Sequence, residues 1–224
     1  MRRLKSKRIS FNPVLVAKIA SQVLRGLGYA HELKDSESHP VKIVHRDVSP
    51  DNVLVGINGS VKLADFGIAK ATAAKSTTQN GLLKGKFHYI APEIIKGAAA
   101  DFRSDIYSMG VVIYEALAGE RPFVGSNDGE LFRLIVEAEP VALTQRNKNI
   151  PEALSRIVMR ALSKDPRSRF QSAEAMGSAL DAFIESTGQH IHETHIRSFL
   201  RDLFPAESGG ETAGATESES EAFV

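Results

Sequence analysis

One segment constrains the fold more than any other. SDIYSMGVVIYEALAG, residues 104–119, is apolar nearly all the way round. A surface helix keeps one polar face, so a helix of this kind must be enclosed by other elements. Gly119 and Pro122 mark its end. Three amphipathic runs, GELFRLIVEA (129–138), PEALSRIVMRALS (151–163) and SAEAMGSALDAFIES (172–186), supply apolar faces to pack around it. A fourth begins at Asn12, a capping residue, with Pro13 at the first helical position and apolar residues at Val16, Ile19, Ala20, Val23, Leu24 and Leu27. It should end near His31. Two short strand runs, NVLV (52–55) and VKLA (61–64), flank Asn58-Gly59. Both of those residues tolerate positive φ, which predicts a tight hairpin turn. The expected fold class is mainly α, a helical bundle around a buried central helix with one small β-hairpin.

Composition excludes several alternatives. The 224-residue chain is 42% hydrophobic, enough for a sizeable core, and its net charge of +1 gives no global pull toward nucleic acid or lipid. Cys 0 removes disulfides, cysteine-ligated zinc, iron–sulfur clusters and thiol nucleophiles. No apolar run approaches the roughly 18 residues of a membrane span. The N-terminus starts like a signal peptide, but Pro13, Lys18 and Gln22 interrupt its apolar stretch. These features read as a soluble, cytoplasmic chain. Residues 1–11 are a basic lead-in carrying Arg2, Arg3, Lys5, Lys7 and Arg8, and residues 206–224 an acidic tail expected to be disordered. Between 187 and 205 an amphipathic helix is expected at about 192–204, with Ile196, Phe199, Leu200, Leu203 and Phe204 on one face to dock on the body or on a partner. His190, His192 and His195 lie close together, but their spacing lacks the fourth partner of a zinc site, so a surface or packing helix is the favoured reading.

Chemistry concentrates in three short motifs. His45-Arg46-Asp47 precedes the first strand run, with Asn52 five residues after the aspartate. Asp65-Phe66-Gly67 follows the second run, and Ala91-Pro92-Glu93 comes later. Each alone is common; their order around the hairpin is specific. Over about residues 12–184 the chain resembles the eukaryotic-type protein kinase family, and bacterial Ser/Thr kinases in particular. The resemblance is to the large C-terminal lobe of the catalytic domain, residues 12–186.

That resemblance implies roles. Asp47 is the catalytic base, and Asn52 and Asp65 hold the Mg²⁺ ions that bridge the phosphates of ATP. Leu54 matches the floor beneath adenine. Phe66 packs on His45, and Gly67 lets the chain turn after the metal ligand. Asp105 anchors the backbone of the His45–Asp47 motif, and Arg169 pairs with Glu93. Arg46 marks the type in which phosphate on the following loop orders that loop, with Thr72, Ser76, Thr77 and Thr78 as candidate phosphosites. Lys70, Lys75, Lys84 and Lys86 could help hold an added phosphate; the alternative is a solvated basic loop.

Two departures stand out. No Gly-rich phosphate loop, strand lysine or pairing helix glutamate precedes Asn12. An N-lobe or regulatory region encoded upstream of Met1 would supply them. The family's usual lysine two residues after the base is Ser49, and its usual threonine after the loop glycine is Lys86. An exchange would deliver the ammonium from the other loop; the alternative is a solvated Lys86 and decayed activity. Pro50 favours Ser/Thr over Tyr acceptors. The expected function is transfer of the ATP γ-phosphoryl group to Ser/Thr hydroxyls of protein substrates, with no nucleic-acid partner and no membrane segment. The alternative is an N-lobe-less fragment or pseudokinase acting as a binding or scaffold module.

Overall fold

The computed structural model describes residues 12–66 and 85–204. The basic lead-in, Gly67, the loop lysines Lys70, Lys75 and Lys84, the candidate phosphosites Thr72, Ser76, Thr77 and Thr78, and the acidic tail lie outside the described residues. The fold is mostly helical. In chain order it comprises α1 (Pro13–His31), β1 (Val53–Val55), β2 (Val61–Leu63), α2 (Pro92–Ile95), α3 (Phe102–Ala118), α4 (Asp128–Glu137), α5 (Leu143–Arg146), α6 (Glu152–Ala161), α7 (Ala173–Ser186) and α8 (Glu193–Leu203).

The all-round apolar segment becomes α3, and the other elements enclose it. Ile106, Tyr107, Val111 and Tyr114 are fully buried. Asp101 starts the helix in a capping box with Ser104, and Gly119 at φ 73° ends it. That left-handed conformation suits a residue without Cβ. α1 starts where Asn12 Oδ1 accepts the Val14 N–H at 2.8 Å. It packs along α7, and Asp181 of α7 accepts from Ser21 Oγ at 2.7 Å and from Arg25 at 3.0 Å.

The hairpin is antiparallel in the register Val53↔Leu63, Leu54↔Lys62, Val55↔Val61. Its turn differs from the tight two-residue form expected at Asn58-Gly59. The loop runs from Gly56 to Ser60, closed by Gly56 N–H donating to Ser60 O and Gly59 N–H to Gly56 O, both 2.8 Å. Only Gly59 has positive φ (90°); Asn58 instead turns its side chain onto Ser60, accepting from its N–H at 3.0 Å and its hydroxyl at 2.8 Å. This side-chain turn satisfies the loop locally and replaces the two-residue geometry. Gly59 is also where α8 leans on the hairpin, since a Cβ there would meet the Glu193 carbonyl.

α8 docks on the body through Ile196 and Leu203, both buried. An apolar cavity of about 310 Å³ remains between this helix and the groove of α1, β1 and α3, lined by residues including Val16, Val53, Val55, Val112 and Leu200. His195 Nδ1 accepts the His192 N–H at 3.1 Å, so two of the three histidines serve the start of the helix. Among the described residues no helix is long and apolar enough to cross a membrane.

A buried ion pair ties α2 to the turn between α6 and α7. Arg169, fully buried, donates to both carboxylate oxygens of Glu93 at 2.8 and 2.6 Å. It also donates to the carbonyls of Ser163 at 2.8 Å and Arg103 at 2.9 Å, and its guanidinium lies 4.9 Å over the Tyr107 ring. Burial alone would push the Glu93 carboxyl up, but the Arg169 hydrogen bonds and charge hold it net below its ordinary value of 4.5. A depressed carboxylate contributes stability that is complete above its unfolded value and is lost as pH falls through its folded value. Arg169→Ala should therefore cost on the order of 3–5 kcal/mol, because Glu93 is left without its counter-ion. Urea unfolding at neutral pH measures this, and the acid-side loss of stability should be shallower in the variant than in the wild type.

Candidate active site

The site forms where one helix start meets two loops and the end of the hairpin. Asp105 lies in the first turn of α3 and is 1% exposed. Its Oδ2 accepts the His45 N–H at 2.8 Å and its Oδ1 the Arg46 N–H at 2.9 Å. His31 Nε2, at the end of α1, donates to Oδ2 at 2.9 Å. One carboxylate thereby fixes the backbone of the His45–Asp47 motif and the end of α1. Arg46 sits at φ 62°, a left-handed conformation that costs a residue with Cβ about 1–2 kcal/mol, and the hydrogen bond to Asp105 helps hold it there.

His45 connects the two halves of the motif set. Its Nδ1 accepts the Asp47 N–H at 3.2 Å, which assigns the ring proton to Nε2, and Nε2 donates to the Ala64 carbonyl at 3.0 Å. Its ring packs on Phe66 with centroids 4.6 Å apart. The residue after Ala64 is Asp65, also at positive φ (57°). Across the ladder the Ala64 N–H donates to Asn52 O at 2.9 Å, so Asn52 and Asp65 stand at the same end of the hairpin. Asn52 is buried, and its Nδ2 donates to the Asp47 carbonyl at 2.7 Å. That bond consumes the donor end of the amide and leaves Oδ1 as the end able to meet a cation. An amide oxygen beside a carboxylate is the donor set a hard cation prefers, so these residues fit Mg²⁺.

Lys86 enters from the other side. It opens the 3-10 turn Lys86–Tyr89, and its Nζ donates to Asp47 Oδ2 at 2.6 Å. Ser49, at the position expected to have exchanged with it, is 1% exposed and its hydroxyl has no hydrogen-bond partner among the described residues. Asp47, Asn52 and Lys86 are thus joined by hydrogen bonds, with Asp65 at the same end of the hairpin, while Ser49 is buried two residues after Asp47. Leu54 lies apart from them on the outer face of β1, 52% exposed, and Arg46 is exposed. Glu93 and Arg169 form their own cluster below α3, joined to it by Ser104, whose hydroxyl donates to Glu93 Oε1 at 2.8 Å.

Two contributors escaped the sequence reading. His31 was read only as the end of a helix, and its bond to Asp105 spans 74 residues. Ser104 was read as one letter of an apolar run. Neither carries a local spacing signal; both become visible only once α3 is placed.

A family model described as "Protein kinase domain" matches residues 1–180. The chain belongs to the protein kinase family. Among related kinases, "Tyrosine-protein kinase MasK" of Myxococcus xanthus is 34% identical over 206 residues, covering 92% of this chain and 32% of its own length. "Serine/threonine-protein kinase PknL" of Mycobacterium tuberculosis is 36% identical over 185 residues, 83% of this chain and 44% of its own. "Serine/threonine-protein kinase PknB" of Mycobacterium leprae is 40% identical over 144 residues, 64% and 23%. The chain therefore spans less than half the length of these kinases.

Replacing Asp105 by Asn turns one acceptor oxygen into a donor facing donors. Each buried donor left unsatisfied costs about 1–3 kcal/mol, so Asp105→Asn should lower stability by at least about 1 kcal/mol. Hydrogen exchange gives the local reading: the His45 and Arg46 amides should lose protection well beyond the global change.

Proposed function

We propose that this chain carries the acceptor-side half of a protein serine/threonine kinase active site, and that residues 12–186 are the large lobe with 187–205 an appended helix. The observation that carries the reading is the convergence of Asp47, Asn52, Asp65 and Lys86 at one end of the hairpin. The acceptor hydroxyl loses its proton to the Asp47 carboxylate while its oxygen bonds to the γ-phosphorus. The bond from that phosphorus to the β–γ bridging oxygen breaks, and ADP leaves. Asn52 and Asp65 would hold Mg²⁺, which would supply charge neutralisation at the phosphates. Leu54 offers an apolar face to adenine. Lys86 brings its ammonium to the edge of Asp47, where the transferred phosphoryl group passes, in place of a cation at the buried Ser49. His45, Phe66 and Asp105 hold these groups in place. Arg46 is the cation for a phosphate on Thr72, Ser76, Thr77 or Thr78.

The names of the PknL and PknB relatives and Pro50 support Ser/Thr acceptors. The name of the MasK relative supports Tyr, so the acceptor is read by phosphoamino-acid analysis rather than assumed. A binding or scaffold role is favoured by the exposed Leu54 and Ile57 on the hairpin, 52% and 71% exposed.

The test is a phosphotransfer assay with ATP and Mg²⁺ on the chain and on a version extended upstream of Met1 through any in-frame Gly-rich loop and strand lysine. Asp47→Ala should lower activity at least about 10²-fold, the scale of a lost general base, and chelation of the metal should abolish it. Activity insensitive to Asp47→Ala, or absent from both forms, would transfer support to the scaffold reading.

A further inference from the structure

The residues that follow Lys86 are pinned to the body one after another. The Phe87 ring meets Phe132 of α4 edge-on with centroids 5.4 Å apart. His88 Nδ1 donates to the Phe123 carbonyl at 3.3 Å. Tyr89 is held twice: its carbonyl accepts from Ser108 Oγ at 2.7 Å, and its hydroxyl donates to Glu115 Oε2 at 2.6 Å. Glu115 is 4% exposed in the last turn of α3, and Arg121 approaches the same oxygen at 3.5 Å while its guanidinium lies 5.6 Å over the Tyr89 ring. Burial together with Glu115 pushes the Tyr89 hydroxyl far above its ordinary range, so it remains a proton donor at any working pH.

Geometry gives this anchoring a second meaning. A lysine stem has four rotatable bonds, so where its ammonium rests depends on where its backbone is held. Lys86 is the first residue of the turn and Tyr89 the last. The 2.6 Å contact between Lys86 Nζ and Asp47 Oδ2 therefore depends on a hydrogen bond made at the other end of the turn. We propose that Tyr89 and Glu115 are positioning residues that set the Lys86 ammonium against Asp47, so that the charge serving phosphoryl transfer is delivered by the same segment whose far end is locked to α3. The inference rests on the reading of Lys86 given above. A charge carried on the catalytic loop itself would be independent of this lock; a charge carried on residues 85–90 is not. A misplacement of about 1 Å is enough to cost up to 10²-fold in rate.

Tyr89→Phe isolates the idea, because it keeps the ring and its contact with Arg121 and removes only the hydroxyl. Two measurements decide it. In the first, the 224-residue chain without nucleotide is exposed to limiting acetic anhydride, and acetylation of each lysine is followed by mass spectrometry. Lys86 in Tyr89→Phe should react several-fold faster than in the wild type, with exposed Lys96 as the internal reference. An unchanged Lys86 rate overturns the proposal, and this arm needs no catalytic activity. In the second, kcat is measured in the active form for wild type, Tyr89→Phe, Lys86→Met and the double variant. Tyr89→Phe should lower kcat about tenfold with the acceptor KM within about twofold, and should cost less than twofold once Lys86 is already Met. An equal cost in both backgrounds would make Tyr89 a structural support only, and would overturn the proposal. If no form of the protein transfers phosphate, the reading of function fails, and the acetylation rates still decide the geometry.

Discussion

The carboxylate of Asp105 is the contact on which the site depends. It lies at the N-terminal turn of the enclosed helix α3 and accepts the backbone N–H groups of His45 and Arg46 and the ring N–H of His31. An anion at a helix start is favoured by the helix dipole, so its burial is partly offset before any loop arrives. The loop then adopts a left-handed residue at Arg46, and Asp47 emerges in the one direction that reaches both Lys86 and the hairpin end. Remove that carboxylate and two backbone donors and an imidazole lose their acceptor.

The site is assembled from segments far apart in the chain, and each joint is a polar bond in an apolar setting. His45 bridges the first loop to the hairpin through Ala64, Asn52 bridges the hairpin back to Asp47, and Lys86 closes the circuit from the other side. Below α3, the Glu93–Arg169 pair holds the chain segment that carries Lys86 to the body. Such a pair adds little net stability over well-packed apolar groups, yet it is costly to break. Its effect is to fix one arrangement of loops that carry few regular hydrogen bonds of their own.

Much of this was legible from the residues. The all-round apolar run 104–119 had to be enclosed, and α3 is. The start of α1 follows from Asn12, whose side chain accepts the N–H two residues on. The order of the three motifs around the hairpin pointed to the family before any coordinates. The residues that sequence could not reach are those whose partners lie far along the chain. His31 has no periodicity that marks it as a partner of Asp105, and Ser104 reads as a polar interruption until Glu93 is beside it. The hairpin turn was misjudged for a related reason. Asn-Gly describes what two residues tolerate, whereas the observed loop is shaped by the Asn58 side chain and by α8 resting over Gly59.

The hairpin is only three residue pairs long, about 10 Å, with one side covered and the other exposed. Val53 and Val55 look inward to the cavity shared with α8, while Leu54 between them looks outward. A ladder this short has no interior in which a displacement can die away. It is a thin wall between an apolar cavity and an open face. The strand that α8 faces through Val53 and Val55 is the one that begins next to Asn52, so the C-terminal helix and the metal-binding end share a single short support.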